Sequence, residues 1–198
     1  MCKKLVFLVS LIVLLGLTQS ASAVALVTET FDSDLGNWAD LAYKNTDGDN
    51  NFGFSNTNNA GGASAGEAGG TFGRHIWAYI GDEFDDELTS ADTIQMRGTA
   101  KMINNTANGH VFIGFFYYDS GNPSGGGPKL GIDIIEPDQA GLPWRLYLTI
   151  NGDRDQGTQV TVANNTVWTF DLTYENGTFS GTIAGQSVSR SVALSGTI

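Results

Sequence analysis

Two carboxyl-bearing residues near the middle of the chain, Asp133 and Glu136, stand three apart in the run Gly131-Ile132-Asp133-Ile134-Ile135-Glu136. Paired carboxyl groups carry acid–base and nucleophilic chemistry at glycosidic bonds when they lie roughly 5–10 Å apart. A different chemistry is offered by Asn45, Asp47, Asp49 and Asn51, which alternate as N-x-D-x-D-x-N. Calcium takes about six to eight oxygen ligands, and alternate side chains of a tight loop can supply several. The bidentate glutamate of an EF-hand loop is absent at its spacing, and Asp, Asn and Gly are also ordinary turn residues. Calcium at Asp47, Asp49 and Asn51 is thus the one cofactor the sequence admits. The third chemistry is sugar binding, which sets aromatic faces against C–H surfaces and adds planar hydrogen-bonding groups. Trp77 and Tyr79, with Arg97, Asp133, Arg145 and Tyr147, form the candidate set. His75, Trp77 and Tyr79 share one side of segment 71–80 if that strand is regular, and Gln95 extends the polar list beside Arg97. His75 and His110 lack metal-ligand spacing and read as structural residues. Glu67 and Arg74 bracket a Gly-rich turn and read as an ion pair.

The elements that must position these groups are strands. Ile94, Met96, Gly98, Ala100 and Met102 alternate with Thr93, Gln95, Arg97, Thr99 and Lys101, a period of two with one buried face. Trp144, Leu146, Leu148 and Ile150 alternate in the same way with Arg145, Tyr147 and Thr149. Trp168, Phe170, Leu172 and Tyr174 alternate with Thr169, Asp171 and Thr173, so Trp144 and Trp168 belong to the core. Asn176-Gly177 predicts a hairpin, and Gly185-Gln186 predicts a turn into segment 187–193. Segment 110–118 (HVFIGFFYY) is apolar on both faces, which predicts a central strand covered on both sides. No window of helical length has a 3.6-residue period. The polar segment 45–51 and the Gly/Ala/Ser/Asn-rich segment 56–70 read as loops. Turns every 8 to 15 residues predict an all-β, two-sheet antiparallel sandwich or jelly roll.

The ends and the charge bound the function. Lys3 and Lys4, the 13-residue apolar run 5–17 and Ala21-Ser22-Ala23 predict a cleaved signal peptide over residues 1–23. The apolar run is shorter than the roughly 18 residues a spanning helix needs. The mature domain, residues 24–198, then contains no cysteine, because Cys2 leaves with the leader. Disulfides and thiol catalysis are excluded from it, and stability must come from an apolar core. Its charge becomes −13, eight basic against 21 acidic residues. Such a surface, on a protein the leader marks as secreted or cell-surface, argues against nucleic acid and anionic membrane as partners and is compatible with neutral glycans or divalent cations. Asn104, Asn164 and Asn176 each open an Asn-x-Thr sequence, which matters only where proteins are glycosylated. The final Ser195-Gly196-Thr197-Ile198 reads as the middle of a turn, as in a domain truncated at its C-terminus.

Several motifs carry a family resemblance. Glu29-Thr30-Phe31-Asp32 with Gly36-Asn37-Trp38 resembles the first strand of concanavalin A-like lectin/glucanase jelly rolls, including laminin G-like domains. Trp168-Thr169-Phe170-Asp171-Leu172-Thr173-Tyr174, followed by Asn176 to Ile183, is similar to a late strand pair of the same superfamily. Gly66-Glu67-Ala68-Gly69-Gly70-Thr71-Phe72-Gly73-Arg74 resembles a segment of its exported bacterial members. The resemblance implies two antiparallel sheets, one concave, with ligands on the concave face or rim. Asp133 and Glu136 also match the last two acids of the Glu-x-Asp-x-x-Glu of retaining family 16 glycoside hydrolases. Gly131 stands where that motif has its nucleophile, and glycine cannot attack an anomeric carbon. The sequence therefore points to a non-catalytic carbohydrate-binding module with glycan on the concave sheet. An exported structural or surface-displayed protein is the alternative, and a glycoside hydrolase is disfavoured by Gly131.

Overall fold

The computed structural model describes residues 39–40, 78–79, 88–102, 110–116, 128–136, 141–196 and 198. In chain order the strands are β1 (Ala39–Asp40), β2 (Ala78–Tyr79), β3 (Ile94–Lys101), β4 (His110–Phe116), β5 (Lys129–Ile135), β6 (Trp144–Ile150) and β7 (Asp153–Arg154). After the 3₁₀ turn η1 (Gln156–Thr158) come β8 (Val160–Val162), β9 (Val167–Glu175), β10 (Thr178–Ile183) and β11 (Gln186–Ser191). The described residues are all-β, with no α-helix among them. They form a four-stranded sheet, β11-β10-β9-β3, and a five-stranded sheet, β4-β5-β6-β7, in which β8 also pairs with β6. Both are antiparallel throughout, and β1 and β2 make a separate antiparallel pair.

One apolar core joins the two sheets. Leu130, Ile132, Ile134, Leu146, Leu148 and Ile150 come from the five-stranded sheet, and Met96, Trp168, Phe170, Leu172, Tyr174 and Phe179 from the other. Every one of these stands at an alternate position of its strand, which the period-two pattern requires. Each fully buried leucine or isoleucine contributes about 1.5–3 kcal/mol by leaving water. Trp144 and Trp168 are core residues, as the alternation predicts. This arrangement is compatible with a β-sandwich.

Local turn chemistry fixes the registers. Asn151-Gly152, Asn176-Gly177 and Ala184-Gly185 each have positive φ at both residues, the geometry that matches strand twist in two-residue hairpins. The turn expected at Gly185-Gln186 therefore sits one residue earlier, because Gln186 already pairs with Ile183. The hairpin at Asn151-Gly152, which the sequence reading passed over, sends β7 back along β6 and sets Arg154 opposite Thr149. Beyond β7 the chain detours through η1 before β8 resumes pairing with β6. Thr158 Oγ1 accepts the Leu148 amide at 2.9 Å, and the Asp155 amide donates to the Leu148 carbonyl at 3.0 Å. The detour leaves the Leu148 backbone satisfied and brings Gln159 to the Tyr147 hydroxyl.

One strand assignment is corrected. Of segment 110–118 the structure describes β4, which lies at the end of the order of the described strands and is half-exposed along its length. The strands covered on both faces are β5 and β6. The aromatic character of β4 has another cause, which lies in the glycines it faces.

Candidate functional site

The face of the five-stranded sheet turned away from the core carries most of its chemistry. Reading across strands, His110 faces Ile135 and Ile135 faces Arg145. The next row is Phe112, Asp133 and Tyr147, and the next is Gly114, Gly131, Thr149 and Arg154. Three predicted sugar contacts, Asp133, Arg145 and Tyr147, are thus brought together on one surface. Asp133 and Tyr147 are not exposed on it, however: Asp133 is 6% exposed and Tyr147 3%. They form its floor.

Asp133 is held from two sides. His110 Nε2 lies 2.8 Å from Oδ1, and Arg154 Nε donates to Oδ2 at 3.2 Å. The Arg154 guanidinium also lies over the Tyr147 ring at 5.5 Å, and Tyr147 donates its hydroxyl to Gln159 Oε1 at 2.9 Å. Burial favours the neutral form of Asp133. The hydrogen bond from His110, the charges of His110 and Arg154, and a smaller effect of Thr149 outweigh it, holding the carboxyl below its ordinary value. Thr149 lies close enough to favour the ionised carboxylate, but its buried hydroxyl has no hydrogen bond of good geometry. Lys129 sits over the Phe112 ring at 5.6 Å. Burial lowers its pKa, opposed by the charge of Asp133.

Gly131 and Gly114 face each other across β4 and β5. A Cβ on Gly131 would collide with the Ile113 carbonyl oxygen and come within 2.8 Å of Gly114 Cα and 2.9 Å of Phe112 Cζ. The two backbones approach so closely that only glycine fits, and the Phe112 ring packs over the pair. The position of the missing nucleophile therefore has no room for a side chain.

The register decides the relation of Asp133 to Glu136. Pairing runs residue for residue from Lys129 to Ile135 against β4 and from Leu130 to Ile135 against β6, without a bulge. A bulge is what would carry residues three apart to one face. Glu136 is buried just past the last paired residue, Ile135, so no bulge within β5 carries it to the face of Asp133.

Arg97 and Gln95 do not join this surface. They lie on the outer face of the four-stranded sheet, where Arg97 stands opposite Asp171 and Gln95 Nε2 donates to Asp171 Oδ1 at 3.1 Å. Tyr79 pairs with Ala39 in the small β1–β2 sheet. Trp77, His75, Glu67, Arg74, the loop with Asn45, Asp47, Asp49 and Asn51, and the leader 1–23 lie outside the described residues. Among the described residues no group of three or more His, Cys, Asp or Glu is placed to hold a metal ion, and no helix is long and apolar enough to cross a membrane.

Compared with protein-family models, with curated proteins and with solved structures, the chain gives no match. The chemistry of the face must speak for itself. Its clamp residues, His110 and Arg154, were absent from the sequence-derived set. Arg154 had a readable signal, since Asn151-Gly152 as a two-residue turn places it opposite Thr149 and diagonal to Tyr147. His110 had none, because the connection 117–128 fixes no register between its strand and Asp133.

Proposed function

We propose that the protein is a secreted, non-catalytic carbohydrate-binding module, a jelly-roll sandwich of the concanavalin A-like kind, with glycan on the outer face of the five-stranded sheet. The observation that carries this reading is the gathering of Asp133, Arg145 and Tyr147 with Phe112, His110 and Arg154 in adjacent rows of one surface. That set combines rings for the C–H faces of a sugar with planar groups for its hydroxyls. The buried members form a preorganised floor, and His110, Arg145, Arg154 and Phe112, each partly exposed, are the groups a glycan touches. Binding without cleavage is supported by Gly131, which leaves no side chain where a nucleophile would stand, and by the bulge-free pairing of β5.

A glycan array followed by isothermal titration tests the reading. His110→Ala and Phe112→Ala should each weaken binding about tenfold, the loss of about 1.4 kcal/mol. Absence of binding across soluble and insoluble polysaccharides would assign the cluster a structural role, as in a surface-displayed protein without a small ligand.

A further inference from the structure

The outer face of the five-stranded sheet runs against the charge of the molecule. The whole chain carries −11, yet Lys129, Arg145 and Arg154 share this one surface. Along the described strands its one carboxylate is Asp133, which is already engaged by His110 and Arg154. Arg145 is the outlier. It is half-buried, its Nε is fully enclosed without a hydrogen-bond partner, and among the described residues no acid pairs with it. An unpaired guanidinium held partly out of water is costly, and a carboxylate ligand is its natural complement, because the planar fork takes both oxygens.

We infer that the glycan taken by this face is an acidic one, a uronate-containing polysaccharide, with a sugar carboxylate received by Arg145. The inference rests on the carbohydrate-binding reading and narrows it to a substrate class. Arg154 and His110 remain on Asp133, so the clamp supplies orientation while Arg145 supplies the charge. Phe112, with Lys129 over its ring, stands in the adjacent row of the same face, where the next sugar unit would lie.

The test compares polygalacturonate with its fully methyl-esterified form, which keeps the backbone and removes the charge. Titration calorimetry on the wild-type chain should show at least tenfold tighter binding to the acid polymer. Raising the salt from about 0.05 to about 0.5 M should weaken that binding and leave the ester unaffected. Arg145→Gln should abolish the preference, and Arg145→Lys should keep most of it, with melting temperatures confirming that both variants fold. Should Arg145→Gln fail to fold, the lysine variant and the salt series still decide. Equal binding of the two polymers, or preference for the acid polymer surviving Arg145→Gln, would overturn the inference. Binding to neutral glycans alone would overturn it and leave the carbohydrate reading standing. No binding to any polymer would remove both.

Discussion

The two sheets present outer faces of opposite character. On the four-stranded sheet Thr169, Asp171, Ser187 and Ser189 are exposed, and Asp171 accepts from Gln95 in water with Arg97 opposite it in register. Such pairs are worth little, about 0–1 kcal/mol, because solvent screens them. On the five-stranded sheet the centre of the corresponding face is buried, at Gly131, Asp133, Tyr147 and Thr149, and Asp133 has two cationic or protonatable partners there. Polar residues at alternate strand positions mean solvation in one sheet and a buried network in the other. The lesson is that alternation reports which residues share a side, while coverage of that side is decided by the neighbours that tertiary folding supplies.

Substitutions can break or sharpen this contrast. Gly131→Ala should cost about 3 kcal/mol in denaturant unfolding, because its methyl group would press on the Ile113 carbonyl and on Gly114. Unchanged stability would mean that β4 and β5 do not approach so closely. Asp133→Ala should cost about 2 kcal/mol by the same measurement, the loss of charge-assisted hydrogen bonds discounted for the partial exposure of His110 and Arg154. Thr169→Ala, on the exposed face of the four-stranded sheet, should stay within about 0.5 kcal/mol of the parent. A cost as large as that of Asp133→Ala would erase the distinction between the faces.

Much of this architecture was legible before any coordinates. The alternation over 168–174 marks β9 to within one residue at each end, Asn176-Gly177 marks its hairpin, and the same parity places Trp144 and Trp168 in the core. Parity alone put Asp133 on one side of its strand and Arg145 and Tyr147 on one side of theirs, but the meeting of those sides was unwritten. Apolar character did not translate into coverage: β4 stands last in the order of the described strands and is half-exposed, and its Phe112 covers a glycine pair. Arg97 was grouped with Asp133 because both are polar at alternate positions, and only sheet membership separates them. The burial of Tyr147 depends on Arg154 and Gln159, 7 and 12 residues further along, and periodicity within one strand carries no trace of it.

The claim on which the contrast depends is that Asp133 is an ionised carboxylate clamped inside the outer face. Because its folded-state pKa is depressed, its stabilising effect is present above the unfolded value of about 3.9 and is lost as pH falls through the lower folded value. The direct test is denaturant unfolding from pH 7 to pH 2 for the wild type, Asp133→Asn and Asp171→Asn. The stability gap between wild type and Asp133→Asn should be full near neutrality and close as the pH drops below about 4, while Asp171→Asn follows the wild type throughout. A gap for Asp133→Asn that stays constant across that range, or one that appears for Asp171→Asn instead, would contradict the account.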